Sequence, residues 1–128
     1  MRRRAFLPPA RLAAPADAAA IVVFAIVGLL SHHGDVSGRG LARDALPLLG
    51  GWFAAALLVR LYTAPAATRL FATWLAGITA GVAVRAAILD HTQVGKEAAF
   101  LAVALSFTLV FALLARLLAT ATASARRL

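Results

Sequence analysis

The sequence predicts an all-α protein, a bundle of four transmembrane helices that run up and down with both termini in the cytoplasm. Three observations support this fold class: four apolar stretches of membrane-spanning length, short polar connections between them, and an uneven distribution of arginine. Of the 128 residues, 62% are hydrophobic and 14% are charged. Soluble domains average roughly 45–50% and about 25%. The chain therefore has too little polar surface to face water, and we expect it to lie in a lipid bilayer.

The four apolar stretches define a single transmembrane domain. They cover about 12–31, 45–62, 70–89 and 98–119, between a basic N-terminal tail (1–11) and a C-terminal tail (120–128). Each stretch is close to the roughly 20 residues that a helix needs to cross about 30 Å of hydrocarbon. Lipid offers the backbone no hydrogen-bond partners, so the spans must be helical. Because the connections are short, successive helices are expected to pack antiparallel.

Basic residues lie mostly beside one set of connections, which predicts the orientation. The N-terminus, the middle connection and the C-terminus carry nine: Arg2, Arg3, Arg4, Arg11, Arg60, Arg69, Arg116, Arg126 and Arg127. The other two connections carry three: Arg39, Arg43 and Lys96. Basic connections stay in the cytoplasm, so both termini are expected there. Despite a net charge of +8, this distribution lacks a basic stripe with exposed aromatics and does not indicate nucleic-acid binding.

Arg85 lies inside the third predicted span and is left out of this count. Gly77, Gly81 and Arg85 are four residues apart and therefore share one face of the third helix. The Gly77-x-x-x-Gly81 spacing lets a second helix approach closely. Arg85 is thus expected to face protein rather than lipid.

The expected partner of Arg85 is an acidic residue near the outer surface. Asp44, Asp90 and Glu97 are the candidates. Asp44 is favoured because it also has the features of an N-cap for the second span, with Pro47 in the first turn. An ionisable residue within a span suggests a functional site, and an ion pair that only holds two helices together is the alternative.

Further polar residues of the outer connections complete a candidate polar outer cluster. With Arg85 and Asp44 it contains His32, His33, Asp90 and His91. Because histidine titrates near neutral pH, one interpretation is a proton-responsive or anion-binding vestibule, and the other is a solvated polar loop. No metal site or cofactor is predicted. No Ser-His-Asp order, phosphate-binding loop or pair of carboxylates indicates an enzyme.

A second ion pair is predicted near the cytoplasmic side. Asp17 lies in the cytoplasmic half of the first span, and Arg60 and Arg116 end the second and fourth spans on that side. Either arginine is a suitable partner for Asp17, and the pair would hold the helices together. A proton relay through Asp17 is the alternative interpretation.

Several short motifs occur in the order of the spans. They are Asp17 with Val23-Phe24-Ala25-Ile26-Val27-Gly28, Ser31-His32-His33, Arg43-Asp44-Ala45-Leu46-Pro47, Gly51-Trp52, Gly81-Val82-Ala83-Val84-Arg85, and Phe100-Leu101-Ala102-Val103-Ala104 with Arg116. Together they resemble a prokaryotic membrane family catalogued as domain of unknown function 3054, over about residues 16–118. The sequence departs from that family at Leu29-Leu30, where basic residues are expected. The resemblance implies a four-helix membrane protein and implies no activity, ligand or catalytic residue.

Two functions are compatible with these features. The first is a small permeation or transport unit with a polar outer vestibule around Arg85. Four short helices enclose little volume, so this function requires a homo-oligomer with the pathway between protomers. The second is a non-catalytic structural or accessory membrane component, in which Arg85 and Asp17 form ion pairs that lock the helices together.

Overall fold

The computed structural model describes residues 5–34, 37–88 and 94–126. These ranges contain four helices and no strand. The helices are α1 (Ala10–His33), α2 (Gly38–Val59), α3 (Ala67–Ile88) and α4 (Val94–Arg126). Each is long and apolar enough to cross a membrane. The predicted all-α fold with four membrane-spanning helices is therefore confirmed in its helix number and type, as expected of a multi-pass membrane protein.

The four helices form a closed ring. α2 packs on α3, α3 on α4, α4 on α1 and α1 on α2. The start of α2 lies beside the end of α3, where Asp44 contacts Arg85. The start of α1 lies beside the end of α4, where Asp17 contacts Arg116. We call the end with Asp17 and the α2–α3 turn the terminal end, and the end with Asp44 and Arg85 the opposite end.

The bundle has a small apolar interior and a large apolar exterior. Leu48, Trp52 and Ile78 are among the side chains that are completely buried between the helices. By contrast, Leu57 is 77% exposed and Leu58 is 85% exposed, although both are large and apolar. Such an exterior is unfavourable in water and suits contact with lipid chains.

α2 begins earlier than the sequence predicts, so the assignment of Asp44 as an N-cap is wrong. Ser37 is the N-cap, and its side-chain oxygen accepts a hydrogen bond from the Gly40 N–H at 3.0 Å. α2 begins with Gly38, Arg39 and Gly40, which do not belong to the apolar stretch. Hydrophobicity marks only the part of a helix that lies in hydrocarbon, so it does not show this first turn. As a result Pro47 lies inside the helix, and the Asp44 carboxylate points to α3 instead of capping its own helix.

The ends of α2 and α4 also differ from the prediction. Arg60 has a left-handed backbone (φ 60°, ψ 42°) and ends α2 at Val59, while the Leu61 N–H bonds back to the Ala56 carbonyl oxygen. This pattern is a Schellman motif, which stops a helix, so Tyr62 lies in the following turn rather than in the span. α4 continues to Arg126, so most of the predicted C-terminal tail is helical.

Glycines bring the backbones of α2 and α3 into direct contact. A Cβ atom at Gly81 would lie 2.8 Å from the Pro47 carbonyl oxygen, and one at Gly77 would lie 2.8 Å from the Trp52 Cα. From the other side, a Cβ at Gly51 would overlap the Gly77 carbonyl oxygen. The Gly77-x-x-x-Gly81 face is therefore the α2 contact surface of α3, as its spacing predicts.

We predict that Gly51→Ala destabilises the bundle by about 1–3 kcal/mol, because the added methyl group forces two helix backbones apart. Gly50→Ala is the matched control, since a Cβ at Gly50 meets nothing within 4 Å. Thermal unfolding in detergent measures both variants. Equal unfolding temperatures for the two variants would contradict the close contact.

Candidate functional site

The terminal end contains a buried ion pair between α1 and α4. The Arg116 Nε donates to Asp17 Oδ1 at 2.8 Å, and Arg116 Nη2 donates to Asp17 Oδ2 at 2.6 Å. The Asp17 side chain is 0% exposed, and the Arg116 side chain is 1% exposed. Two parallel charge-assisted hydrogen bonds fix both the distance and the orientation of the partners. The pair thus joins the first and last helices of the ring.

Two aromatic side chains extend this pair into a network. The Tyr62 hydroxyl donates to Asp17 Oδ2 at 2.7 Å, and the Trp52 indole Nε1 donates to the Tyr62 hydroxyl at 3.0 Å. Burial of Tyr62, together with the nearby Asp17 carboxylate, raises the pKa of the tyrosine hydroxyl well above its ordinary value. Tyr62 therefore remains a protonated donor to Asp17. The network joins α1, α2, α4 and the α2–α3 turn.

The N-terminal segment closes the terminal end. The Arg116 Nη1 donates to the Phe6 carbonyl oxygen at 2.9 Å, and the Thr120 hydroxyl donates to the Ala5 carbonyl oxygen at 2.8 Å. Phe6 also packs against the apolar core. The guanidinium of Arg116 therefore has acceptors on both the carboxylate and the backbone, and the segment before α1 is held across the end of α4.

The sequence leaves two arginines as possible partners of Asp17, and the structure brings Arg116 to it. Arg60 is exposed and forms the C-cap of α2. Its left-handed backbone ends the helix and turns the chain, so Arg60 is not part of the buried network. The candidate inner ion pair therefore consists of Asp17 and Arg116.

The opposite end contains the second ion pair, which joins α2 and α3. The Arg85 Nε lies 3.0 Å from Asp44 Oδ1. Arg85 Nη1 lies 4.0 Å from Glu97 Oε2, and the guanidinium carbon lies 4.1 Å from the centre of the Phe100 ring. A guanidinium over an aromatic face is stabilised by a cation–π interaction. Arg85 is thus bound by acidic and aromatic groups on α2 and α4.

Part of the candidate polar outer cluster lies outside the described residues. This applies to Asp90 and His91 and to the side chains of His32 and His33. The described part brings Arg85 and Asp44 together. Within that part, no group of three or more His, Cys, Asp or Glu residues could hold a metal ion.

Comparison with protein families assigns the chain to a family. The model described as "Protein of unknown function (DUF3054)" matches residues 14–119. The chain belongs to this family. Its match runs from α1 into α4 and contains both ion pairs, and it confirms the resemblance that the sequence motifs indicate. The comparisons with curated proteins and with solved structures found no match.

Two residues of the network in this DUF3054 protein are missed by the sequence analysis. They are Trp52, which the sequence shows only within the Gly51-Trp52 motif, and Tyr62, which is the last residue of the second predicted span. The available signal is chemical: a buried indole N–H or tyrosine hydroxyl needs a hydrogen-bond partner. Trp52 is 1% exposed, yet its burial is not evident from sequence alone.

Asp17 is the central acceptor of this network. The Asp17 carboxylate accepts three hydrogen bonds, two from Arg116 and one from Tyr62. The carboxylate and the guanidinium carry opposite charges and are both buried. In this DUF3054 protein, Asp17 therefore joins α4 and the α2–α3 turn to α1.

We predict that Asp17→Asn destabilises the protein by about 3–5 kcal/mol, because it leaves the Arg116 charge buried without its partner. The double variant Asp17→Asn/Arg116→Gln is expected to be more stable than Asp17→Asn alone. Arg60→Gln is the control, and it should change stability by less than about 0.5 kcal/mol, since Arg60 is exposed. The single variant Arg116→Gln completes the double-mutant cycle. Unfolding in detergent measures all four variants, and strictly additive effects of the two single substitutions would contradict the pairing.

Proposed function

We propose that this chain is a non-catalytic structural or accessory component of the membrane, whose ion pairs lock its helices together. One observation carries this proposal: four buried or half-buried ionisable side chains, one in each helix, each pair with an opposite charge on another helix. These side chains are Asp17, Asp44, Arg85 and Arg116. Charged groups that serve transport must exchange partners with water or solute, whereas these are engaged by the protein itself.

Burial of the ion pairs supports the same proposal. The side chain of Arg85 is 12% exposed, and that of Asp44 is 14% exposed. Neither residue lines the cavity between α2 and α3 or the cavity between α1 and α4. The N-terminal segment bonds to Arg116 and covers the terminal end. These contacts give no support to a permeation pathway within one protomer. A pathway between protomers of a homo-oligomer would have to avoid both ion pairs.

We predict that purified protein in liposomes gives no anion or cation flux above that of protein-free vesicles. Arg85→Gln is expected to lower the unfolding temperature by more than about 5 °C, because it breaks the link between α2 and α3. Arg85→Lys keeps the charge but loses the guanidinium geometry, so its effect should be smaller. Arg126→Gln is the matched control, since Arg126 is exposed at the end of α4 and its substitution should leave the unfolding temperature unchanged.

The opposite outcome would identify a transport unit. That outcome is a flux in the parent protein that Arg85→Gln abolishes while its unfolding temperature stays unchanged. Chloride, nitrate, potassium and protons are suitable test ions, because the polar outer cluster contains both basic and acidic groups.

We infer further that the protein lies in the cytoplasmic membrane with both termini in the cytoplasm. The basis is the excess of basic residues beside the terminal end. Arg11, Arg60 and Arg126 belong to this group, and all three are exposed. Exposed cations near the end of a span suit the cytoplasmic surface of a bilayer.

We predict that a cysteine at position 38 is labelled from outside intact cells and that one at position 63 is not. The chain contains no cysteine, so Gly38→Cys and Thr63→Cys each introduce a single thiol. A membrane-impermeant thiol reagent provides the measurement, and the unmodified protein is the control. Labelling of Thr63→Cys alone would reverse the proposed orientation.

A further inference from the structure

A groove of about 580 Å³ lies between α2 and α3 on the outside of the bundle, near the opposite end. Its apolar lining includes Leu46, Val84 and Ile88, and Arg39 and Arg43 also line it. Leu46 is 62% exposed and Ile88 is 66% exposed, so the groove opens to the surroundings of the protein. It combines an apolar surface with two guanidinium groups.

The two arginines and the apolar lining lie along one face of α2. Arg39, Arg43, Leu46 and Gly50 are separated by four, three and four residues, a spacing that keeps them on the same side of a helix. From Arg43 to Gly50 the helix rises about 10 Å toward the middle of the membrane. Gly50 and the adjacent Gly51 have no side chains, and this absence leaves space for the groove.

Among the described side chains near the groove, arginines outnumber acids. Arg43 Nε lies 3.4 Å from Asp44 Oδ1, and the same oxygen lies 3.0 Å from Arg85 Nε. Arg39 is exposed. Among the described side chains at this end there are three arginines and two acids, Asp44 and Glu97. The excess positive charge lies at the groove.

We propose that this groove binds an anionic phospholipid, with its phosphate on Arg39 and Arg43 and an acyl chain between α2 and α3. Guanidinium groups form charge-assisted, often bidentate hydrogen bonds with phosphate oxygens. Leu46, Val84 and Ile88 provide an apolar surface for the chain below that headgroup. This site goes beyond the proposed function, because lipid binding does not depend on whether the bundle is a structural component or a transport unit.

For the part of the chain that the structure describes, charge favours a lipid over a second copy as the occupant. A protein partner would have to offer acidic groups to Arg39 and Arg43. The acidic residues that the structure describes are Asp17, Asp44 and Glu97. Asp17 is buried against Arg116, and Asp44 is bonded to Arg85, while Glu97 lies near the same guanidinium. None of these three is therefore placed to neutralise the groove of a neighbouring copy.

Native mass spectrometry of the full chain in neutral detergent tests this proposal. The probes are phosphatidylglycerol and phosphatidylcholine with identical acyl chains. We expect phosphatidylglycerol to bind more tightly, and the variant Arg39→Gln/Arg43→Gln to lower its affinity at least about tenfold. The affinity for phosphatidylcholine should change much less.

Two control variants separate the groove from general charge and from folding. Arg60→Gln/Arg126→Gln removes the same charge from exposed positions at the terminal end, and should change phosphatidylglycerol affinity by less than about twofold. Gly50→Leu fills the groove, and its Cβ meets nothing within 4 Å. We expect it to weaken the binding of both lipids. Gly28→Leu is its matched control, because a Cβ there also meets nothing within 4 Å.

Three results would overturn the proposal. They are equal affinity for the two lipids, unchanged phosphatidylglycerol binding in Arg39→Gln/Arg43→Gln, and an equal loss in Arg60→Gln/Arg126→Gln. Protein dimers in place of lipid adducts, lost in Gly50→Leu, would assign the groove to a second copy instead. Unfolding temperatures show which variants are folded. If Gly50→Leu does not fold, the comparison of the two double arginine variants still decides between these outcomes.

Discussion

The ring of helices depends on one buried ion pair, that between Asp17 and Arg116. These residues are 99 positions apart in the sequence, and their contact closes the ring between its first and last helices. An unpaired charge at mid-bilayer costs about 2.5–3.5 kcal/mol on insertion scales, so apolar surroundings favour the one alignment that joins them. Sliding α4 by a single turn would move the guanidinium by about 5.4 Å, beyond hydrogen-bonding distance. The pair therefore fixes the register of α4 against α1.

The α2–α3 contact reaches the same specificity by other means. Lipid chains are as apolar as leucine, so apolar burial alone does not hold two helices together in a membrane. Here Gly51 and Gly81 bring the backbones close enough for many van der Waals contacts. The Arg85–Asp44 pair then lies at the end of this interface. The glycines determine how closely the helices approach, and the ion pair determines their register.

The sequence predicts the features that depend on hydrophobicity and on residue spacing within a helix. It does not predict the contacts between residues that are far apart in the sequence. Helix number and the glycine face follow from apolar length and from four-residue spacing. The pairing of Arg85 with Asp44 is also as expected, although the N-cap assignment that favoured Asp44 over Asp90 and Glu97 is wrong. The start of α2 cannot be predicted in this way, because its N-cap, Ser37, lies outside the apolar stretch. The partners of Asp17 come from two distant segments, α4 and the α2–α3 turn, and Tyr62 reaches it only because α2 ends at Val59.

Arg39 and Arg43 are the arginines that neither the fold nor the orientation explains. The buried pairs account for Arg85 and Arg116, and the proposed cytoplasmic orientation would account for the basic residues at the terminal end. In the proposed orientation the same tendency disfavours basic residues at the opposite end, yet α2 begins there with two arginines on one face. Directly below them, Gly50 faces open space while its neighbour Gly51 contacts α3. An anionic headgroup above an acyl chain accounts for the arginines and the groove together.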